Sequence, residues 1–66
     1  MAENRKIIVA RAELALTQKD LANAVGVSRQ TIVSIEKGEG NPTLALCRKI
    51  CKKLNKTLDE LFGEEL

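Results

Sequence analysis

The sequence predicts an all-α fold of five short helices, and three observations carry that prediction. No stretch alternates apolar and polar residues as a strand does. Apolar residues recur instead at spacings of three and four. Capping residues (Thr17, Ser28, Thr43 and Thr57) stand just ahead of such stretches, and turn-forming residues separate them.

The first helix is expected from about Asn4 to Leu14. Thr17 caps the second, and Asp20 in its first turn suits the positive end of the helix. Leu21, Ala22 and Val25 give it one apolar face, and Gly26 can take the left-handed conformation that ends it. Ser28 caps the third helix, from about Arg29 to Lys37, with Ile32 and Ile35 facing inward. Gly38-Glu39-Gly40-Asn41-Pro42 is a loop that no helix crosses. Thr43 caps a fourth helix carrying Leu46, Cys47, Ile50, Cys51 and Leu54. After a break at Asn55-Lys56-Thr57 comes a short fifth helix with Leu58, Leu61 and Phe62, and Gly63 is a stop.

With 66 residues, the chain is read as one domain over 1–66. A chain of this size buries only about 60% of the surface its unfolded form exposes, so its core is thin and pairing with a second copy is a common remedy. Phe62 is the only aromatic residue, which excludes recognition of single strands or RNA by stacking bases on aromatic rings. Duplex DNA requires no aromatics. The net charge is only +2, but residues 59–66 hold four acids and no base, which leaves eleven Lys/Arg against five acids in residues 1–58. A basic body with an acidic end can attract phosphates and remain soluble.

Ile7-Ile8-Val9-Ala10 is the longest apolar run near the start, too short for a signal core or a membrane span. The expected location is the cytoplasm, where Cys47 and Cys51 are reduced thiols. The two sulfurs, four apart on one helix face, are too few ligands for a structural zinc site, and the chain has no His. They are read as core residues, with a redox switch across a dimer as the alternative. No metal, cofactor or small-molecule ligand is expected. Lacking His, a nucleophile–base pair and a glycine-rich phosphate loop, the sequence does not read as an enzyme.

The informative segment is Thr17 to Lys37, TQKDLANAVGVSRQTIVSIEK. Two short helices meet at a turn containing Gly26. Ala22, four positions earlier, is small where two helices cross closely, and Val27 and Ile32 plug the angle between them. This is the spacing that a helix-turn-helix requires. On the outward side of the third helix stand Arg29, Gln30, Val33, Ser34 and Lys37. Arg can pair with O6 and N7 of guanine and Gln with N6 and N7 of adenine. A Val can meet a thymine methyl, and a Ser can donate or accept. The alternative is that Arg29 and Gln30 are ordinary surface residues of a first turn.

The chain resembles the Cro/CI family of phage repressors over about residues 4 to 62. The motifs are Leu16-Thr17-Gln18, Asp20-Leu21-Ala22, Val25-Gly26-Val27-Ser28, Gln30-Thr31-Ile32, Ile35-Glu36-Lys37-Gly38 and Asn41-Pro42-Thr43-Leu44. The string Ser28-Arg29-Gln30-Thr31-Ile32 and the short length are similar to a compact, stand-alone subgroup. The resemblance implies a five-helix lambda-repressor-like fold binding double-stranded DNA. It implies that Gln18 meets a phosphate and braces the recognition helix, and that Ser28, Arg29, Gln30 and Ser34 face bases or nearby phosphates. Thr31 would touch the backbone, and Lys37 and Asn41 would meet phosphate beyond the recognition helix. It also implies that Arg11 and Glu36 form a partly buried ion pair joining the first and third helices. The alternative for Arg11 is a direct phosphate contact, which would leave Glu36 unpaired beside DNA.

Ile8 and Val9 fall where relatives often carry polar residues and read as an exposed apolar pair, either tolerated scatter or part of an interface, and the C-terminal Leu58, Leu61, Phe62 and Leu66 exceed what one short helix buries. Leu61, Phe62 and Leu66 are therefore expected at a homodimer contact, rimmed by Glu64 and Glu65. Three functions are compatible with this reading: a homodimeric repressor on an inverted repeat; an antitoxin that autoregulates through the same motif; and an interaction module that has lost DNA binding. Acidic replacements at Gln18, Arg29 or Gln30 would mark the last, and none is present.

Overall fold

The computed structural model describes residues 3–63. Among these, five helices follow in order: α1 (Arg5–Glu13), α2 (Gln18–Val25), α3 (Arg29–Glu36), α4 (Leu44–Leu54) and α5 (Leu58–Phe62). Each begins at a side-chain cap. The Asn4 Oδ1, Thr17 Oγ1, Ser28 Oγ, Thr43 Oγ1 and Thr57 Oγ1 atoms accept from the amides of Ile7, Asp20, Thr31, Leu46 and Glu60. Such caps satisfy amides with no partner inside the helix, each contributing about 1 kcal/mol. In α2 and α5 the cap is reciprocal, since Asp20 and Glu60 accept in turn from the Thr17 and Thr57 amides at 2.9 Å.

The first two helices are joined by a tight turn. The carbonyl of Arg11 accepts from the amides of both Leu14 and Leu16, and Ala15 takes a positive φ of 55°. Gly26 ends α2 at φ 76°, where a side chain would be strained, and the amides of Gly26 and Val27 both donate to the carbonyl of Ala22. This turn sets α3 across α2. Ala22 is fully buried at the crossing, and Val27 packs half-buried against the core.

The core lies where α1, α2, α3 and α4 converge. Ile7, Leu21, Ile32, Ile50 and Leu54 are its largest wholly enclosed side chains, each contributing about 1.5–3 kcal/mol by leaving water. Cys47 and Cys51 are buried on the inner face of α4, and burial pushes both thiols above the ordinary cysteine range. Among the described residues no cluster of three or more His, Cys, Asp or Glu is arranged to hold a metal ion, and no helix is long and apolar enough to cross a membrane.

Two features of the apolar surface differ from expectation. Leu61 offers almost no surface to a partner. It is only 3% exposed, packed into the protomer's own core with α1 and α4 against α5, and its carbonyl accepts from Asn4 Nδ2 at 3.0 Å. Ile8 and Val9 do not form an exposed pair, because Ile8 is half-buried and Val9 alone faces solvent. Phe62 is half-buried against the core, and Leu66, with Glu64 and Glu65, lies outside the described residues.

Candidate nucleic-acid interface

The recognition surface is built from the end of α2 to the loop after α3. Ser28, Arg29 and Gln30 are exposed at the start of α3, and Val33 and Ser34 are half-buried one turn later. Lys37 and Asn41 are exposed where the chain leaves the helix. Small side chains at Val33 and Ser34 leave the middle of the helix low, so the long Arg29 and Gln30 stand out from it. An outward row of this kind fits the major groove, where arginine and glutamine meet base edges in paired fashion.

Ser28 and Thr31 are engaged locally. Ser28 Oγ caps the helix by accepting from the Thr31 amide, and its hydroxyl lies 3.1 Å from that of Thr31. Each hydroxyl keeps further capacity to accept or donate, so both remain open to a phosphate oxygen.

What holds α3 at its angle is a polar network centred on Glu36, which is 4% exposed. Arg11 Nε donates to Glu36 Oε2 at 2.8 Å, and Arg11 Nη2 donates to Oε1 at 3.4 Å. Gln18 Nε2 donates to the same Oε1 at 2.9 Å, and Arg11 Nη1 donates to the carbonyl of Leu16 at 2.8 Å. One guanidinium thus ties α1 to the α1–α2 turn and to the end of α3, while Gln18 ties the start of α2 to the same carboxylate. No buried side-chain polar atom among the described residues lacks a partner. The Asn4 amide adds a second tie by donating to the Glu36 carbonyl at 2.8 Å.

Of the two roles open to Arg11, the geometry matches the strut: Nε, Nη1 and Nη2 each donate one bond within the protein. Gln18 occupies two structural positions at once. Its side chain braces Glu36, and its backbone amide lies at the open end of α2, where free N–H groups and the helix dipole favour an anion. The resemblance implied a brace from Gln18 to the recognition helix, and the structure identifies the acceptor as the Glu36 carboxylate, eighteen residues away; the tie from the Asn4 amide had no sequence signal.

Comparison with known proteins agrees with this construction. The helix-turn-helix family model matches residues 7–61. An uncharacterized HTH-type transcriptional regulator of Archaeoglobus fulgidus is 48% identical over 52 residues, covering 79% of this chain and 74% of that protein. The HTH-type transcriptional regulator YgzD of Bacillus subtilis is 40% identical over 60 residues, 91% of each chain. Among solved structures, the restriction-modification controller protein C.AhdI from Aeromonas hydrophila superposes with a TM-score of 0.82 at 27% identity, over 89% of each chain. With its five-helix order, its turn at Gly26 and its outward-facing third helix, the chain belongs to the Cro/CI-type helix-turn-helix family of DNA-binding transcriptional regulators.

Proposed function

We propose that this protein is a sequence-specific repressor that binds an inverted-repeat operator as a twofold homodimer in the cytoplasm. The observation that carries this reading is the pairing of exposed Arg29 and Gln30 with a buried brace on the same helix. Side chains that read bases must be held in a fixed register, and the Arg11–Glu36–Gln18 network supplies it. Arg29, Gln30 and Ser34 take the base edges. Gln18, Ser28, Thr31, Lys37 and Asn41 take phosphates, which set register without reading sequence.

A domain seated in the major groove of a promoter blocks other proteins from the same base pairs, so repression requires no further surface. The dimer contact is assigned to the apolar groove of about 550 Å³ between the 38–42 loop, α4 and α5. Leu44, Leu58, Cys47 and Phe62 line it, and Leu44 is 59% exposed at its mouth. On an inverted repeat with half-sites one turn apart, the two recognition helices of the dimer would stand about 34 Å apart.

Selection from a random duplex library at physiological salt tests the reading. The expected result is one enriched inverted repeat with half-sites about one turn apart, together with a sedimentation mass of two chains. Binding without sequence enrichment, or a single-chain mass both free and on DNA, would overturn it.

A further inference from the structure

The third helix is not the protein's only cationic face. The fourth helix, LALCRKICKKL, contains four basic residues and no acid. Lys49, Lys52 and Lys53 stand at i, i+3 and i+4, so they share one face, and all three are exposed. They border a shallow depression together with Asn23 and Gly26, at the end of α2 and the turn into the recognition helix. Among the described residues no carboxylate lies within ion-pair distance of any of the three. Of the three, Lys53 acts at longer range on Asp20, whose carboxylate is already held by the Thr17 amide.

Like charges at these spacings destabilise a helix. The negative end of the helix dipole offsets this for Lys52 and Lys53, which lie in the last turn of α4, but not for Lys49, near its middle. The position of the cluster matters more than its size. It borders the turn at Gly26, which leads directly into the exposed start of α3 at Ser28, Arg29 and Gln30. The apolar groove lined by Cys47 and Leu44 lies on the other side of the same helix.

We propose that Lys49, Lys52 and Lys53 form a second phosphate-binding shelf, which takes the DNA backbone flanking the base pairs read by α3. The proposal rests on the DNA-binding reading given above. Duplex DNA is favoured over an acidic protein partner because the shelf borders the turn that leads into the helix carrying Arg29 and Gln30. The three ammonium groups also sit on a flexible, highly hydrated residue type that binds phosphate as a point charge rather than through a shaped fork. The shelf carries no base readout. It adds affinity that depends on duplex length and salt, not on flanking sequence.

The test uses the full chain and the operator recovered by library selection, prepared in two lengths. One duplex ends at the inverted repeat, and the other extends by about one helical turn, roughly 10 base pairs, on each side. The variants are the triple substitution Lys49→Gln, Lys52→Gln, Lys53→Gln and its charge-retaining counterpart with Arg at all three positions. Thermal melts confirm that each is folded.

The wild type is expected to bind the long duplex more tightly than the short one, by about tenfold at physiological salt. The Gln variant should bind both lengths equally, with its short-duplex affinity close to wild type. Its log–log salt slope on the long duplex should fall by about 5, since each neutralised phosphate contributes about 0.9 and the two protomers together lose six lysines. The Arg variant should keep the length preference. Equal weakening of both duplexes by the Gln variant would mean general electrostatic attraction and overturn the shelf. An unchanged Gln variant would also overturn it, and would leave the ridge to an acidic protein. Failure of the wild type to bind either duplex would refute the DNA-binding reading itself, a result separable from the other two.

Discussion

Replacing Arg11 with Ala should nearly unfold this protein. The Glu36 carboxylate is 4% exposed and accepts from Arg11 Nε, Arg11 Nη2 and Gln18 Nε2. With Arg11 gone, only Gln18 remains beside a buried negative charge, and the Leu16 carbonyl loses the donor that holds the α1–α2 turn. Removing one partner of a buried pair typically costs about 3–5 kcal/mol. A domain of this length has only about 3–10 kcal/mol in total. At about 4–8 °C per kcal/mol for so small a domain, the melting temperature should fall by at least roughly 12 °C.

Urea denaturation followed by circular dichroism would measure the loss. A double variant, Arg11→Met with Glu36→Leu, distinguishes this cause from simple loss of packing. Removing both charges leaves no buried charge unpaired, so the double variant should be more stable than Arg11→Ala, short of the parent protein by the bonds that Gln18 and the Leu16 carbonyl lose. It should nonetheless bind DNA less well, because Gln18 would lose the acceptor that fixes it. A loss below about 1 kcal/mol for Arg11→Ala, well under the usual cost of breaking a buried pair, would refute the reasoning. So would a double variant no more stable than the single one.

Two further predictions concern the backbone and the caps. Gly26 has open space where a Cβ would stand, so Gly26→Ala carries only the cost of a positive φ, about 1 kcal/mol; Ala15→Gly, at φ 55°, should be neutral or stabilising by up to about 1 kcal/mol. Denaturation midpoints check both, and a neutral Gly26→Ala would contradict the first. Hydrogen bonds from the Thr17 and Thr57 amides hold the Asp20 and Glu60 carboxyls below their ordinary values of 3.8 and 4.5. A carboxyl depressed in the folded state contributes stability that is complete above its unfolded value and is lost as pH falls through the folded one. Melting temperature should therefore drop as pH falls below about 4.5, and less steeply in an Asp20→Asn, Glu60→Gln variant. Identical pH profiles for the two proteins would rule out this contribution.

The helices were legible because each boundary is chemically marked. Thr17, Ser28, Thr43 and Thr57 cap where the sequence reads them as caps, and Gly26 supplies the left-handed turn. Ala15 was not legible, since a non-glycine residue at positive φ leaves no compositional trace; it is imposed by the Arg11 contacts on either side of the turn. The Arg11–Glu36 pair was available only through family resemblance, and the Gln18 bond to the same carboxylate needed coordinates. Leu61 shows the limit of local periodicity. Its spacing marks an apolar face on α5, but whether that face meets its own chain or a partner depends on where α1 and α4 pass, and here they enclose it. Leu44 makes the converse point, an apolar residue at the first turn of α4 that the fold leaves open to solvent.

The central claim is that the outward side of α3 reads base edges, and Gln30 offers the most direct test. Library selection should be run in parallel with the wild-type chain and with Gln30→Ala. The account predicts that the variant still enriches the same inverted repeat, but with preference lost at one position in each half-site, at a cost of about 1–3 kcal/mol on the best wild-type site. An unchanged preference at every position would show that Gln30 does not face the bases and that α3 has been given the wrong role.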